Sequence, residues 1–420
     1  MKCYFLRVLL CVMAFAAIQP VSAVVTINTV AEDGTINAWY KIGSTWTAIA
    51  TVELGTTSRR ITAGDGMANG GNDLYVATTA GAYRVYATSA GASLTSGLVS
   101  STAIPADLGG GFEVCIGDTD NDSNSEVVMG DQYGVRTHIW DSNSGTWSRR
   151  KVKDTGGDLV RAIAIGDTDA DGKNEVCMSW NAIGLAAAYE YNGSSYVEDY
   201  RGVNLNQLPW RVAGGDVDIN GDGVKDFAIA AIQHVARHDF AAGHTLQIIH
   251  TNGAQNTDVA IGNADGDAYV DIISVTNPEG LVLNYEYTTP TTHTETQIIG
   301  FSDPYQGAHT AVELYDIDSD GLDEVIAVSY DGYNNDVNAP VPGQIRLYDY
   351  NTGSGTWSFQ VLANTNEHLM DVVISDVGVQ CGGLLPADLN GDCYIKFDDF
   401  ALFAGDWLKC TDLTNPNCTP

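Results

Sequence analysis

Residues Arg161–Ser179 read RAIAIGDTDADGKNEVCMS. A short run of apolar and small residues enters a turn carrying Asp167, Asp169, Asp171 and Glu175, and a second apolar run leaves it. Runs this short, closed off by Gly and Asp, read as buried strands, so the unit is two strands joined by an acidic turn. The same grammar returns in FEVCIGDTDNDSNSEVVMG from Phe112, RVAGGDVDINGDGVKDFAIA from Arg211, DVAIGNADGDAYVDIISV from Asp258 and AVELYDIDSDGLDEVIAVS from Ala311. The turns begin at Asp118, Asp167, Asp218, Asn263 and Asp316, at spacings of 49, 51, 45 and 53 residues. RRITAGDGMANGGNDLYVAT, with Asp65 and Asp73, is a degenerate copy 53 residues upstream of Asp118.

After each copy comes a second hairpin rich in aromatics, such as GVRTHIWDSNSGTWSRRKV and GQIRLYDYNTGSGTWSFQVL. Four short strands per ~50 residues make one blade of a β-propeller. Asp33 to Thr51 lacks the beginning of a blade, and EHLMDVVISDV (Glu367 to Val377) is a first strand without its blade. Joined, the two ends make a seventh blade and remove the exposed sheet edges that invite aggregation. The expected fold is therefore all-β, a seven-bladed propeller with six or eight blades as the range, closed by N- and C-terminal strands.

Numbered from its first ligand, each turn follows D-x-D-x-D-G-x-x-[DE], with side-chain oxygens at positions 1, 3, 5 and 9 and a backbone carbonyl at 7. Hard oxygen donors in that number suit Ca²⁺ better than zinc or copper. The sets are Asp118, Asp120, Asp122 and Glu126; Asp167, Asp169, Asp171 and Glu175; Asp218, Asn220, Asp222 and Asp226, with Asp216 nearby; Asn263, Asp265, Asp267 and Asp271; and Asp316, Asp318, Asp320 and Glu324. Ser123 and Ala268 stand where Gly is usual at position 6, and Met67 occupies position 3 of the Asp65 turn, which is not expected to hold metal. Carboxylates packed this densely repel one another without cations, so metal binding and folding should be coupled.

These turns resemble the FG-GAP/VCBS repeats of integrin-α-like propellers over most of residues 24–377. The resemblance implies about five Ca²⁺ ions, each in the turn between the first and second strands of a blade.

The start of the chain, MKCYFLRVLLCVMAFAAIQPVSA, has basic Lys2 and Arg7, an apolar run and a small-residue end at Ala23, the pattern of a secretory signal peptide over residues 1–23. The expected location is extracellular or cell-surface. No later segment offers the ~18 uninterrupted apolar residues of a membrane helix. Without the signal the chain carries 18 basic against 53 acidic residues, a net charge near −35, which excludes nucleic acid as a partner. With 44% hydrophobic residues the chain can fold, so the acidity points to bound cations rather than disorder. Cys115 and Cys177 lie on apolar strands and read as buried free thiols, whereas Cys381, Cys393, Cys410 and Cys418 cluster as a disulfide staple with three possible pairings.

After a linker at 378–386, residues 387–420 form a separate unit. DLNGDCYIKFDDFALFAGDW places Asp388, Asn390, Asp392 and Asp399 at positions 1, 3, 5 and 12 of an EF-hand loop, with Phe400, Phe403 and Trp407 at helical spacing behind it. It resembles one half of a dockerin repeat, a small α-helical module. The resemblance implies one further Ca²⁺ and a cohesin-like or surface-attachment partner, although a single copy framed by cysteines departs from the paired form.

For ligands, the starts of the first strands gather Arg59, Arg60, Arg161, Arg211, His309 and His368, and neighbouring loops carry Trp180, Trp210, Tyr305 and Tyr333. A cationic ring with aromatics at the channel mouth would attract an acidic extracellular polysaccharide; a protein partner is the other reading. Trp46, Trp147 and Trp357 recur in outer G-x-W hairpins and read as blade structure. QHVARHDFAAGH, with His234, Arg237, His238 and His244, is the one cluster that resembles the machinery of a polysaccharide lyase. No nucleophile–base pair accompanies it, so the chain is read as a monomeric binding or scaffold protein before an enzyme of polysaccharide catabolism, with no catalytic residue assigned.

Overall fold

The computed structural model describes residues 25–375 apart from residues 43–44, 70, 88–93, 102–112, 181–184, 202–208, 240–244, 252–254, 268, 278–279, 290, 300–307, 319, 330–331, 335–338 and 342. The expected signal peptide, the linker, the tail module, the four cysteines clustered there from Cys381 on, Tyr305 and His244 lie outside the described residues.

Seven four-stranded antiparallel sheets stand around a central channel. Their innermost strands are Ser58–Gly64, Glu113–Gly117, Val160–Gly166, Pro209–Val217, Gln255–Gly262, His309–Tyr315 and Leu369–Ser375, and the blades are numbered one to seven in that order. Blade three shows the plan, running outward through Val160–Gly166, Glu175–Trp180, Leu185–Tyr191 and Tyr196–Arg201. A two-stranded ribbon, Gly332–Asn334 with Ala339–Val341, is inserted between the second and third strands of blade six.

The second strands are buried at every residue in all blades but five, where only the last residue, Asn277, is half-buried. Both faces of such a strand are covered by neighbouring blades, which is why the sequence shows continuous apolar runs there rather than alternation. Outer strands open toward water, as Thr146–Asp154 does, with Val152 its one buried residue. The core is divided into seven apolar clusters, one in each seam between adjacent blades. Trp46, Trp147 and Trp357 pack in these seams, as blade structure.

Blade seven closes as its two half-motifs imply. Leu369–Ser375 from the C-terminal end pairs with Thr26–Ala31 in the register Thr26↔Ser375 to Val30↔Asp371. The Thr26 hydroxyl donates to the Ser375 carbonyl at 2.8 Å, so strand pairing joins the two ends of the ring. Cys115 and Cys177 are free thiols, and no helix among the described residues is long and apolar enough to cross a membrane.

Candidate functional site

The acidic turns lie at one end of the channel, where the innermost strands finish, and all share one hydrogen-bond scheme. The position 9 carboxylate accepts the position 2 amide: Thr119 to Glu126 at 2.7 Å, Thr168 to Glu175 at 2.7 Å, Ile219 to Asp226 at 3.1 Å, Ala264 to Asp271 at 2.7 Å and Ile317 to Glu324 at 2.7 Å. The position 5 carboxylate accepts the position 7 amide, at 2.7–3.0 Å in the same five turns. Backbone donors thus hold the carboxylates in place.

Position 6 is left-handed, with φ of 90° at Gly172, 93° at Gly223 and 95° at Gly321, and Ser123 is held there at 73°. A side chain pays about 1 kcal/mol or more for that backbone. Ser123→Gly is therefore expected to raise stability by about 0.5–1 kcal/mol, read as a higher midpoint in urea. Position 4 is left-handed too, at Ala68, Asn121, Ala170, Gly221 and Gly266, a requirement the mixed residue types there conceal.

Side-chain oxygens converge in four turns, lying within 4.8 Å of one another: Asp118, Asp120, Asp122 and Glu126; Asp167, Asp169 and Glu175; Asp265, Asp267 and Glu286; and Asp316, Asp318 and Asp320. Asp171 belongs to a second group with Glu175 and Glu190, bridged by the Lys173 ammonium. Among the described residues the Asp218 turn, with Asn220 at position 3, closes no such carboxylate group, and neither does the Asp65 turn. Glu190 and Glu286 lie on third strands paired with Glu175 and Asp271. The repeat grammar missed them because it ends at position 9, and the strand pairing would have exposed them.

The position 9 groups are nearly out of reach of water, and burial is the first cause of their raised pKa values, with nearby turn aspartates adding to it. Glu126, Glu175 and Glu324 are each pushed up to about 7 and Asp271 to about 6. Glu175 is 0% exposed, and its Oε1 has no hydrogen-bond partner. A buried carboxylate oxygen left free inside a group of other carboxylates fits a hard cation and little else.

The other end of the channel holds the candidate ligand residues. Just inside it, the residues five before the turns at Arg60, Glu113, Ala162, Asp258 and Ala311, together with Arg211 and Asp371, occupy one level of the seven inner strands. Arg211 bonds Glu113 at 2.6 Å, Asp258 at 3.0 Å and Asp371 at 3.3 Å, while Arg60 stands 3.6 Å from Glu113 and 3.7 Å from Asp371. Asp371 also accepts the Ile61 amide of the next blade, and Asp258 accepts the Val312 amide. A cavity of about 460 Å³ lies beyond this ring. On its wall Glu313 has its pKa pushed by burial up to about 8.

The expected cationic ring is therefore corrected in composition. Arg211 faces three buried carboxylates, so its charge is matched internally. His309 is 1% exposed, and burial depresses its pKa to about 3, so it carries no charge. Trp180 is a core residue of the seam between blades two and three. Arg161 and Trp210 do come together at the mouth, the guanidinium 4.6 Å above the indole ring. The Trp210 Nε1 has no hydrogen-bond partner, and Arg59 and Arg60 add positive charge beside Arg161, whose pKa falls mainly through burial. His368 sits 3.6 Å from Glu32. The lyase-like segment disperses: Arg237 is buried against Asp226, His238 is buried and His234 meets Thr251.

No protein-family model and no curated protein matches this sequence. Solved structures match it in fold. A lectin of Agrocybe aegerita, described as recognising non-reducing terminal N-acetylglucosamine, aligns at a TM-score of 0.54 and 12% identity, covering 85% of this chain and 96% of its own. Sqt1 of Saccharomyces cerevisiae aligns at a TM-score of 0.54 and 12% identity, covering 84% of this chain and 86% of its own. Together with the seven sheets, these likenesses make the chain a seven-bladed β-propeller.

Proposed function

We propose that this chain is a secreted, calcium-stabilised propeller of the FG-GAP/VCBS type that binds extracellular acidic glycan, with residues 387–420 as a dockerin-like attachment module. The observation that carries the calcium reading is the free, buried Glu175 Oε1 among Asp167 and Asp169. Glycan binding rests on the mouth opposite the turns. There the Arg161 guanidinium and the Trp210 indole offer a charged donor and an apolar face within one sugar ring of each other. A propeller lectin that recognises a sugar supports the reading by fold.

The test is retention on an acidic polysaccharide column with calcium present. Arg161→Ala is expected to weaken retention roughly tenfold, the loss of one charge-assisted hydrogen bond, and Trp210→Ala to do likewise, while Lys151→Ala, on the outer strand Thr146–Asp154, should change nothing. Unaltered retention in both mouth variants would sink the glycan reading and leave the calcium reading standing.

A further inference from the structure

In each blade one third-strand residue pairs with the residue two beyond position 9 of the turn, and so lies diagonally across from the position 9 carboxylate on the same face. In blades one to six this residue is Arg84, Thr137, Ala188, Arg237, Asn284 and Leu347. The carboxylates they face are Asp73, Glu126, Glu175, Asp226, Asp271 and Glu324. Wherever the facing residue is Thr, Ala or Leu, position 9 is the longer Glu. Wherever it is Arg or Asn, position 9 is the shorter Asp, and the facing side chain bonds it: Arg84 to Asp73 at 2.6 Å, Arg237 to Asp226 at 3.2 Å and Asn284 to Asp271 at 2.6 Å.

We infer that this third-strand residue decides how each turn is neutralised: a guanidinium built into blades one and four does the work that a divalent cation does in blades two, three, five and six. The two arginine blades are the ones whose turns close no carboxylate group, whereas Glu126 and Glu175, facing Thr and Ala, join theirs. Blade five shows the same logic by exchange. Asn284 holds Asp271, and Glu286, on the third strand beside it, completes the group with Asp265 and Asp267. Arg237 is 2% exposed, so its charge is as deeply placed as an ion's would be. Glu286 is thus a cation ligand that lies outside the turn, and the Asp218 turn is not a cation site although its sequence matches the pattern.

The inference rests on the calcium reading above, and the experiment separates the two. Bound calcium is counted by equilibrium dialysis of the full chain. Glu286→Gln, at a half-buried outer position, is expected to bind one ion fewer than wild type, or to hold one ion at least tenfold more weakly. Arg237→Gln is expected to bind one ion more and to need millimolar calcium to fold. Wild-type binding by Glu286→Gln overturns the inference. So does an Arg237→Gln chain that folds without the extra ion, or that stays unfolded at every calcium concentration. A wild-type chain that binds no calcium removes the calcium reading itself, and this inference with it.

Discussion

Arg211→Met should lower the stability of the protein, measured in calcium-containing buffer, by about 3–5 kcal/mol or more, a fall of roughly 5–15 °C in Tm. The substitution keeps most of the side-chain volume, so the effect isolates charge. Glu113, Asp258 and Asp371 are 1%, 1% and 0% exposed, and without Arg211 their one remaining cationic neighbour at this level is Arg60, at 3.6–3.7 Å from two of them. Each carboxylate would have to remain ionised in a poorly solvated channel or take up a proton. Arg211→Lys should recover only part of the loss, because an ammonium is a point donor and cannot meet three acids in different directions from one planar group. Adding Glu113→Gln and Asp258→Asn to Arg211→Met should recover most of it, since Asp371 then remains to pair with Arg60 and an unpaired buried charge is what costs the energy. A thermal unfolding series of these variants decides the matter. An Arg211→Met chain that melts with the wild type would show that the ring is not a structural girdle.

That ring marks where the sequence stopped being legible. The blade count, the closure and the turns could be read because their grammar is local: Asp118 to Glu126 and Asp167 to Glu175 repeat within nine residues and at even spacing. The arginines of the inner strands could be seen as well, since few basic residues compete with them. What could not be seen locally is that Glu113, Asp258 and Asp371 stand at the level of Arg211. Each opens an apolar run, as in EVCI, DVAI and DVVI, and looks like the polar start of a strand. Counting back five residues from the turns brings Arg60, Glu113 and Asp258 to one height, but Arg211 joins them only through the register shift between Gly214 and Val217, and Asp371 only through its pairing with Val30. The burial of His309 was hidden for a related reason: it also opens a first strand, and nothing within the strand tells that the ring is 1% exposed and meets the Tyr348 hydroxyl from the third strand of its own blade. The acidic turns were legible as a set, but their differences were not, because Arg84, Arg237, Asn284 and Glu286 act from the third strand, across a sheet.

Calcium removal should reverse the pH dependence of stability. In the ion-free chain Glu126, Glu175 and Glu324 have folded-state pKa values of about 7 and Asp271 of about 6, all above the ordinary carboxylate values near 4 of an unfolded chain. The folded state then binds more protons than the unfolded state between about pH 4 and 7, so stability must fall as pH rises through that window and level off above it. With chelator present, Tm should therefore be higher at pH 5 than at pH 7.5. Calcium inverts the sign: bound ions hold the same carboxylates ionised, protons compete with them, and stability should be greatest near neutral pH and decline on acidification. At pH 7.5 the two curves should be furthest apart, because four turns then carry unneutralised groups of three or four converging side chains. By mass action, 1 mM calcium acting on sites of about 10 μM affinity adds about 2.7 kcal/mol per site, so the combined shift over four turns should exceed even that of Arg211→Met. Thermal melts at pH 5, 6, 7 and 8, with calcium and with chelator, supply the measurement. Parallel curves with no divergence near neutral pH would mean that these turns hold no structural ion, and that backbone amides alone keep their carboxylates together.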